Sequence, residues 1–305
     1  MTDLHQIFAR TDETIVAPGR LLLDGGPQRD MAVLLRAGRF ADVGDAAALR
    51  ARHPQARLVE LPDHLLMPGF IDTHTHLTQS LGKSLVFGEP SEIFRRIWVP
   101  LEGSLDEHMV YLSSKLAALE CLRGGFTTAI DAGTRSAGHI GKLALASREV
   151  GLRLVVAQIC NDLGGAAVVP DRPEILRRAG AHLAACQGDP LIHASLAISI
   201  PEAASDGMLR EVSAMAAEAG VTFQTHVNEH LVAVERSLVA HGRRPLEHLA
   251  HVGALGPQTL IAHSTLVTPS ELNLLRDTGT AVAYNPVASV WKGNAVAPAL
   301  QMQAL

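Results

Sequence analysis

Leu66-Met67-Pro68-Gly69-Phe70-Ile71-Asp72-Thr73-His74-Thr75-His76 decides how the rest of the chain is read. A short apolar run, Leu66–Asp72, has the length and composition of a buried strand, and it closes on His74-x-His76. Alternate residues of a strand face the same side, so both imidazoles aim at one point. Downstream, apolar runs of similar length alternate with helix-length amphipathic segments. The strand expectations are Thr127–Asp131, Leu152–Gln158, Ile192–Ile198, Thr222–His226, Thr259–His263 and Thr280–Tyr284. Between them Asp106–Arg123, Gly141–Val150, Pro173–Cys186, Gly207–Ala219, Leu231–His241 and Pro269–Thr278 read as helices. Ser104 before Leu105-Asp106-Glu107, and Thr268-Pro269 with Glu271, supply helix start signals. Such alternation demands parallel strands joined by crossovers, and repeated this often it favours closure into a (β/α) barrel. No GxGxxG or GxxxxGK[ST] follows any strand, which removes the common nucleotide-binding readings of an open sheet.

Upstream, residues 13–66 read as short β segments broken by Pro18-Gly19, Gly25-Gly26 and Gly38, a small antiparallel unit with little core of its own. The domain expectation is therefore 1–66 as an N-terminal β unit and 67–305 as the barrel. The 305 residues are 47% hydrophobic and 19% charged, a globular composition. Net charge is −5 and no basic stretch marks a nucleic-acid partner. No apolar run reaches the ~18 residues of a membrane span. The N-terminus lacks a secretory pattern, and three widely spaced cysteines imply neither disulfides nor a CxxC site, so a cytoplasmic location is expected.

The unusual count is 15 histidines. In a (β/α) barrel chemistry gathers at the C-terminal strand ends, and four histidines fall there: His74, His76, His226 and His263. His193 opens a strand at the opposite end and reads as structural, while His139, His241, His248 and His251 lie in helices or turns. Three neutral imidazoles meeting at one point suit Zn²⁺ or Fe²⁺ with room for water, whose pKa the ion would lower. Glu229 follows His226 by three residues, where a carboxylate can relay a proton to a leaving nitrogen.

Together these motifs resemble the amidohydrolase superfamily. The 66–76 segment is similar to its strand-one motif. His226-x-x-Glu229, His263 and Asn285-Pro286 resemble its deaminase and triazine-hydrolase branch, whose N-terminal β-sandwich matches the first unit. The resemblance implies a (β/α)8 TIM-type barrel of the metal-dependent hydrolases and one divalent metal, Zn²⁺ or else Fe²⁺, on His74, His76 and His226. It makes Glu229 the proton shuttle and His263 the residue that orients hydroxide or polarises substrate. Gln79 matches a position that contacts the heterocycle in related deaminases; as a polar residue of an exposed loop it reads equally well. The implied reaction is attack of metal-bound hydroxide on the C=N carbon of a small N-heterocyclic substrate, with loss of ammonia. The enzymatic alternative is an amidase or cyclic-amide hydrolase, and a homo-oligomer is in keeping with the branch.

The sequence also departs from that pattern. The fourth strand holds no lysine, which favours one metal over a binuclear centre. Ser199 stands where adenosine-type relatives often carry histidine, which counts against nucleoside substrates. Asn285-Pro286-Val287-Ala288-Ser289 replaces the usual Ser-Asn pair with Ser289. No eighth strand or strand-eight Asp follows Tyr284, only a loop and a helix-like Ala295–Leu305. The expectation is thus an incomplete, seven-strand barrel: a portion of a longer chain, one needing a partner, or a non-catalytic metal binder. Residues 77–105 read as a specificity loop in which Glu89, Glu92, Arg95 and Arg96 could meet substrate or only solvent.

Overall fold

The computed structural model describes residues 13–88, 93–136, 140–163 and 171–305. Contacts cluster into two units that divide between Gly69 and Phe70. The first holds β1 (Thr14–Leu23), β2 (Gly26–Gln28), β3 (Met31–Arg36), β4 (Arg39–Asp45), α1 (Ala46–Arg52) and β5 (Arg57–Leu66). Period-two burial builds a core on each face of this sheet: Ile15, Ala32, Leu34 and Leu49 on one, Val16, Leu21 and Val33 on the other.

The unit is antiparallel as expected in its β1–β2, β1–β3 and β3–β4 pairs, and the exception is β5, which pairs with β1 in parallel from Thr14↔Arg57 to Leu21↔Leu66. Helix α1 supplies the crossover that parallel pairing needs, and Asp45 caps it by accepting from the Ala48 N–H at 2.8 Å. The register slips between Pro18 and Arg20. Gly19 sits in the slip because a Cβ there would lie 1.8 Å from the Pro62 carbonyl oxygen.

Among the described residues the second unit carries seven parallel strands: β6 (Phe70–Thr75), β7 (Phe126–Asp131), β8 (Arg153–Ile159), β9 (Ile192–Ala197), β10 (Thr222–Val227), β11 (Thr259–His263) and β12 (Ala281–Ala283). They pair in chain order from β6 to β12, a nearly closed barrel. Crossovers run through α2 (Val99–Ser104), α3 (Glu107–Arg123), α4 (Ile140–Val150), α5 (Arg172–Ala185), α6 (Asp206–Glu218), α7 (Leu231–His241), α8 (Pro245–Val252) and α9 (Pro269–Thr278). The chain ends in α10 (Pro286–Trp291) and α11 (Ala299–Ala304), two short helices in place of the single expected segment.

Phe223, Leu196, Met208, Leu246 and Ile261 pack in one core cluster, and Leu77, Leu143, Leu152, Leu154 and Ile192 in another. Burying a side chain of this size contributes ~1.5–3 kcal/mol.

Some elements differ from expectation for identifiable reasons. The first barrel strand starts at Phe70, because Leu66 is claimed by the β1–β5 ladder. Helix α3 is capped by Asp106, whose carboxylate accepts from the Met109 N–H at 2.8 Å, and Ser104 instead bonds the Leu101 carbonyl. Residues 77–105 are not a plain loop: a 3₁₀ helix covers Leu77–Val86, and a π turn at Phe94–Trp98 leads into α2.

Candidate active site

His74 belongs to β6, and His76 follows its end. A turn in which the Asp72 carboxylate accepts the His74 N–H at 3.1 Å steadies that end. His226 and His263 come from β10 and β11, paired strands with Val227 opposite His263. The four rings meet. Centroids lie 4.7 Å apart for His74–His226, 5.1 Å for His74–His76, 5.4 Å for His76–His226 and 5.5 Å for His226–His263. His76 Nε2 and His226 Nε2 are 3.3 Å apart.

One donor–acceptor relation assigns a tautomer. His226 Nδ1 lies 2.7 Å from the Ser199 carbonyl oxygen, an acceptor only, so Nδ1 carries the proton and Nε2 presents its lone pair. Burial pushes His226 down to about 3, with His263 adding to the effect. His74 and His76 are also held well below the ordinary histidine range, first by burial and then by neighbouring imidazoles. Burial lowers His263 to about 4 against the pull of Glu229. Neutral imidazoles with inward nitrogens form a donor set that fits a divalent transition-metal ion. One ligand atom each from His74, His226 and His263 lies within 4.8 Å of the other two, a trio that holds His263 in place of the expected His76.

Glu229 stands beside these rings, with Oε1 3.7 Å from His263 Nε2 and accepting from Lys292 Nζ at 2.6 Å. Burial raises its pKa, but His263, Lys292 and His226 outweigh that and bring it down to about 2. The backbone around it is braced. Asn228 and His263 take left-handed φ values of +51° and +77°, a conformation that Asn tolerates and that costs His263 ~1–3 kcal/mol. Thr265 Oγ1 donates to the Asn228 and Glu229 carbonyls at 2.9 and 2.7 Å. Asn228 Nδ2 donates to Glu271, which also accepts from Arg244 Nε at 3.0 Å and caps α9. Asn285 Nδ2 lies 3.5 Å from His263 Nδ1.

Gln79 is half-buried and donates to Glu102 Oε1 at 3.2 Å, so its amide is held by protein rather than left on an exposed loop. Arg95 and Arg96 are exposed, and His193 is exposed at its strand's outer end. Glu89, Glu92 and His139 lie outside the described residues.

The sequence reading missed several groups. Glu102, fully buried, pairs with Arg135 Nη1 at 2.8 Å. Nothing local in the sequence marks this pair. Asp131 ends β7 and accepts from the Leu77 and Gly133 N–H groups at 2.7 and 2.8 Å; burial nonetheless raises it to about 7. Its place at a strand end was the available signal. Lys292, one of only four lysines, carried none beyond rarity.

A model of the amidohydrolase family matches residues 65–300, and one of the bacterial imidazolonepropionase-like composite domain matches residues 32–56. A 5'-deoxyadenosine deaminase of Methanopyrus kandleri is 31% identical over 291 residues, 94% of this chain and 64% of its own length. A 5-methylthioadenosine/S-adenosylhomocysteine deaminase of Syntrophobacter fumaroxidans is 30% identical over 293 residues, 95% of this chain and 66% of its own. Among solved structures, an adenosine deaminase from Xanthomonas campestris with bound zinc superposes with a TM-score of 0.87 at 24% identity. The match covers 95% of this chain and 66% of that one. The chain thus spans about two thirds of the length of the relatives it matches.

Proposed function

The chain belongs to the amidohydrolase family, and on that premise we propose that it serves hydrolytic deamination of a small N-heteroaromatic compound. The observation that carries this reading is the ionised Glu229 held beside His263 and a cluster of neutral imidazoles. His74, His76 and His226 would hold one divalent cation, for which zinc suits an all-imidazole donor set. When bound, such an ion lowers the pKa of water and polarises a C=N bond.

The chain's own residues handle the protons. Glu229 accepts one from the attacking water and delivers it to the ring nitrogen, then assists transfer to the exocyclic amino group. A C–O bond forms, the exocyclic C–N bond breaks and ammonia leaves, with the amino-bearing carbon becoming a carbonyl. Lys292 keeps Glu229 ionised between transfers. His263 orients the water through Nε2. Arg135 and Ser199 supply polar groups beside the rings: Arg135 lowers His226 and His76 electrostatically and Ser199 Oγ accepts from Asn161, while Gln79, bonded to Glu102, would be the heterocycle contact.

The deaminase names of the relatives support this reaction class. A panel of amino-bearing heterocycles, free bases and nucleosides together, should release ammonia from at least one member with stoichiometric carbonyl formation. Glu229→Gln should slow that reaction by ~10²–10⁴-fold while metal content is unchanged. Ring opening without ammonia, or wild-type turnover in Glu229→Gln, would overturn the proposal.

A further inference from the structure

A second cluster lies away from the imidazoles of the barrel mouth. Asp206 opens α6, His241 closes α7 and His248 lies within α8. One ligand atom from each falls within 4.8 Å of the others. The two rings stack with centroids 3.7 Å apart and planes 13° from parallel. His248 is 1% exposed, and among the described residues neither of its ring nitrogens has a hydrogen-bond partner. Its Nε2 lies 3.2 Å from Asp206 Oδ1 but outside hydrogen-bond geometry. His241 Nε2 is also buried without a partner among the described residues. So is Glu202 Oε1, on a carboxylate that feels the charges of Arg236, His241 and His230.

Each such orphan costs ~1–3 kcal/mol when water is excluded. Three imidazole nitrogens left unsatisfied beside a carboxylate are therefore expensive unless something binds there. Protonating one ring would turn its lone-pair nitrogen into a further N–H and leave the other orphans unpaired. A cation that accepts lone pairs removes the cost from one nitrogen of each ring at once.

We propose that Asp206, His241 and His248 form a second binding site, for a divalent transition-metal ion of zinc type. Two imidazoles and one carboxylate are borderline donors that favour Zn²⁺ over Ca²⁺ or Mg²⁺. Stacked rings send their lone pairs along parallel lines, so loading requires one ring to turn. His241, at the end of α7 and less buried than His248, is the one free to do so. The ion joins the start of α6 to the end of α7 and to α8. It touches no residue assigned to the reaction, so its work is to clamp helices. The elements it ties flank the reaction centre: α7 begins just after Glu229, and α6 follows the short turn Pro201–Ala203 that succeeds Ser199.

The test counts metal in the full chain after equilibration with zinc and gel filtration, with zinc alone as the probe. Wild type should retain about two zinc ions per chain, and Asp206→Asn and His241→Gln about one each. A His74→Ala/His76→Ala variant, which removes the barrel-mouth ligands, should still retain about one and should melt at a higher temperature with zinc than without. Adding His241→Gln to that variant should abolish both. Zinc retained by wild type but not by the His74→Ala/His76→Ala chain would overturn the site, as would zinc uptake unaffected by Asp206→Asn and His241→Gln, whereas a single ion retained by both wild type and the His74→Ala/His76→Ala chain would place the failure at the barrel mouth. If either of those two fails to fold, zinc uptake by the His74→Ala/His76→Ala chain decides: none retained overturns the site.

Discussion

Asp189 shows how one residue's surroundings set a measurable pH dependence. Its carboxylate accepts from the Leu191 and Ile192 backbone N–H groups at 2.9 Å each and from Arg148 Nε at 2.7 Å. Those backbone bonds, followed by Arg148, hold its pKa down to about 2 against an ordinary 3.8. A folded-state value below the unfolded one means stabilisation that is fully present above pH ~4 and lost as pH falls towards 2. Asp189→Asn should therefore flatten the fall in melting temperature between pH 4 and 2 and lower stability at neutral pH. An unchanged acid profile would show that the turn into β9 is held by other contacts. The same residue-scale logic separates what was legible at the imidazole cluster. His74, His76, His226, His263 and Glu229 stood out because strand periodicity and strand ends place them without knowledge of packing. The Ser199 carbonyl that sets the His226 tautomer did not, since any residue could offer it.

Elements differ in how much of themselves they declare. Helix α9 announces its start: Thr268 accepts the Glu271 N–H at 3.2 Å while Glu271 Oε2 accepts the Thr268 N–H at 2.9 Å, a capping box readable as Thr-x-x-Glu. The segment after His76 does not, because its order comes from a buried ion pair between distant positions. Glu102, from α2, accepts from Thr78 Oγ1, Gln79 Nε2 and Arg135, whose guanidinium also stacks 4.4 Å from the Phe94 ring centroid. Removing one partner leaves a charge stranded in the interior. Arg135→Met should destabilise the fold by ~3–5 kcal/mol, seen as a lowered urea midpoint. Pairing it with Glu102→Gln should recover part of that loss. Additive losses in the double variant would mean that the two groups do not interact. Such a pair spans 33 residues and has no periodicity to betray it.

At the scale of the molecule, residues 150 positions apart share one centre because seven strands pair in chain order and present their C-terminal ends together. An ion held by His74, His76 and His226 would tie β6 to β10 across that sheet, so binding energy becomes folding energy. Zinc at a hundredfold excess over its dissociation constant contributes ~2.7 kcal/mol. In a His241→Gln chain, where the helix cluster is disabled, stripping metal with a chelator should lower the melting temperature and zinc should restore it. His76→Ala should remove most of that response; if it does not, these imidazoles are not the ligands. From sequence alone came the parallel α/β barrel, its strand order and the histidines and glutamate at its mouth, because all depend on local periodicity and on a topology that permits few arrangements. Only the tertiary structure decided the parallel β1–β5 pairing, the Glu102–Arg135 pair, the Lys292 contact to Glu229 and the Asp206–His241–His248 cluster. Each joins backbone or side chains from separate elements, and such contacts depend on packing angles and distances that no short stretch of sequence encodes.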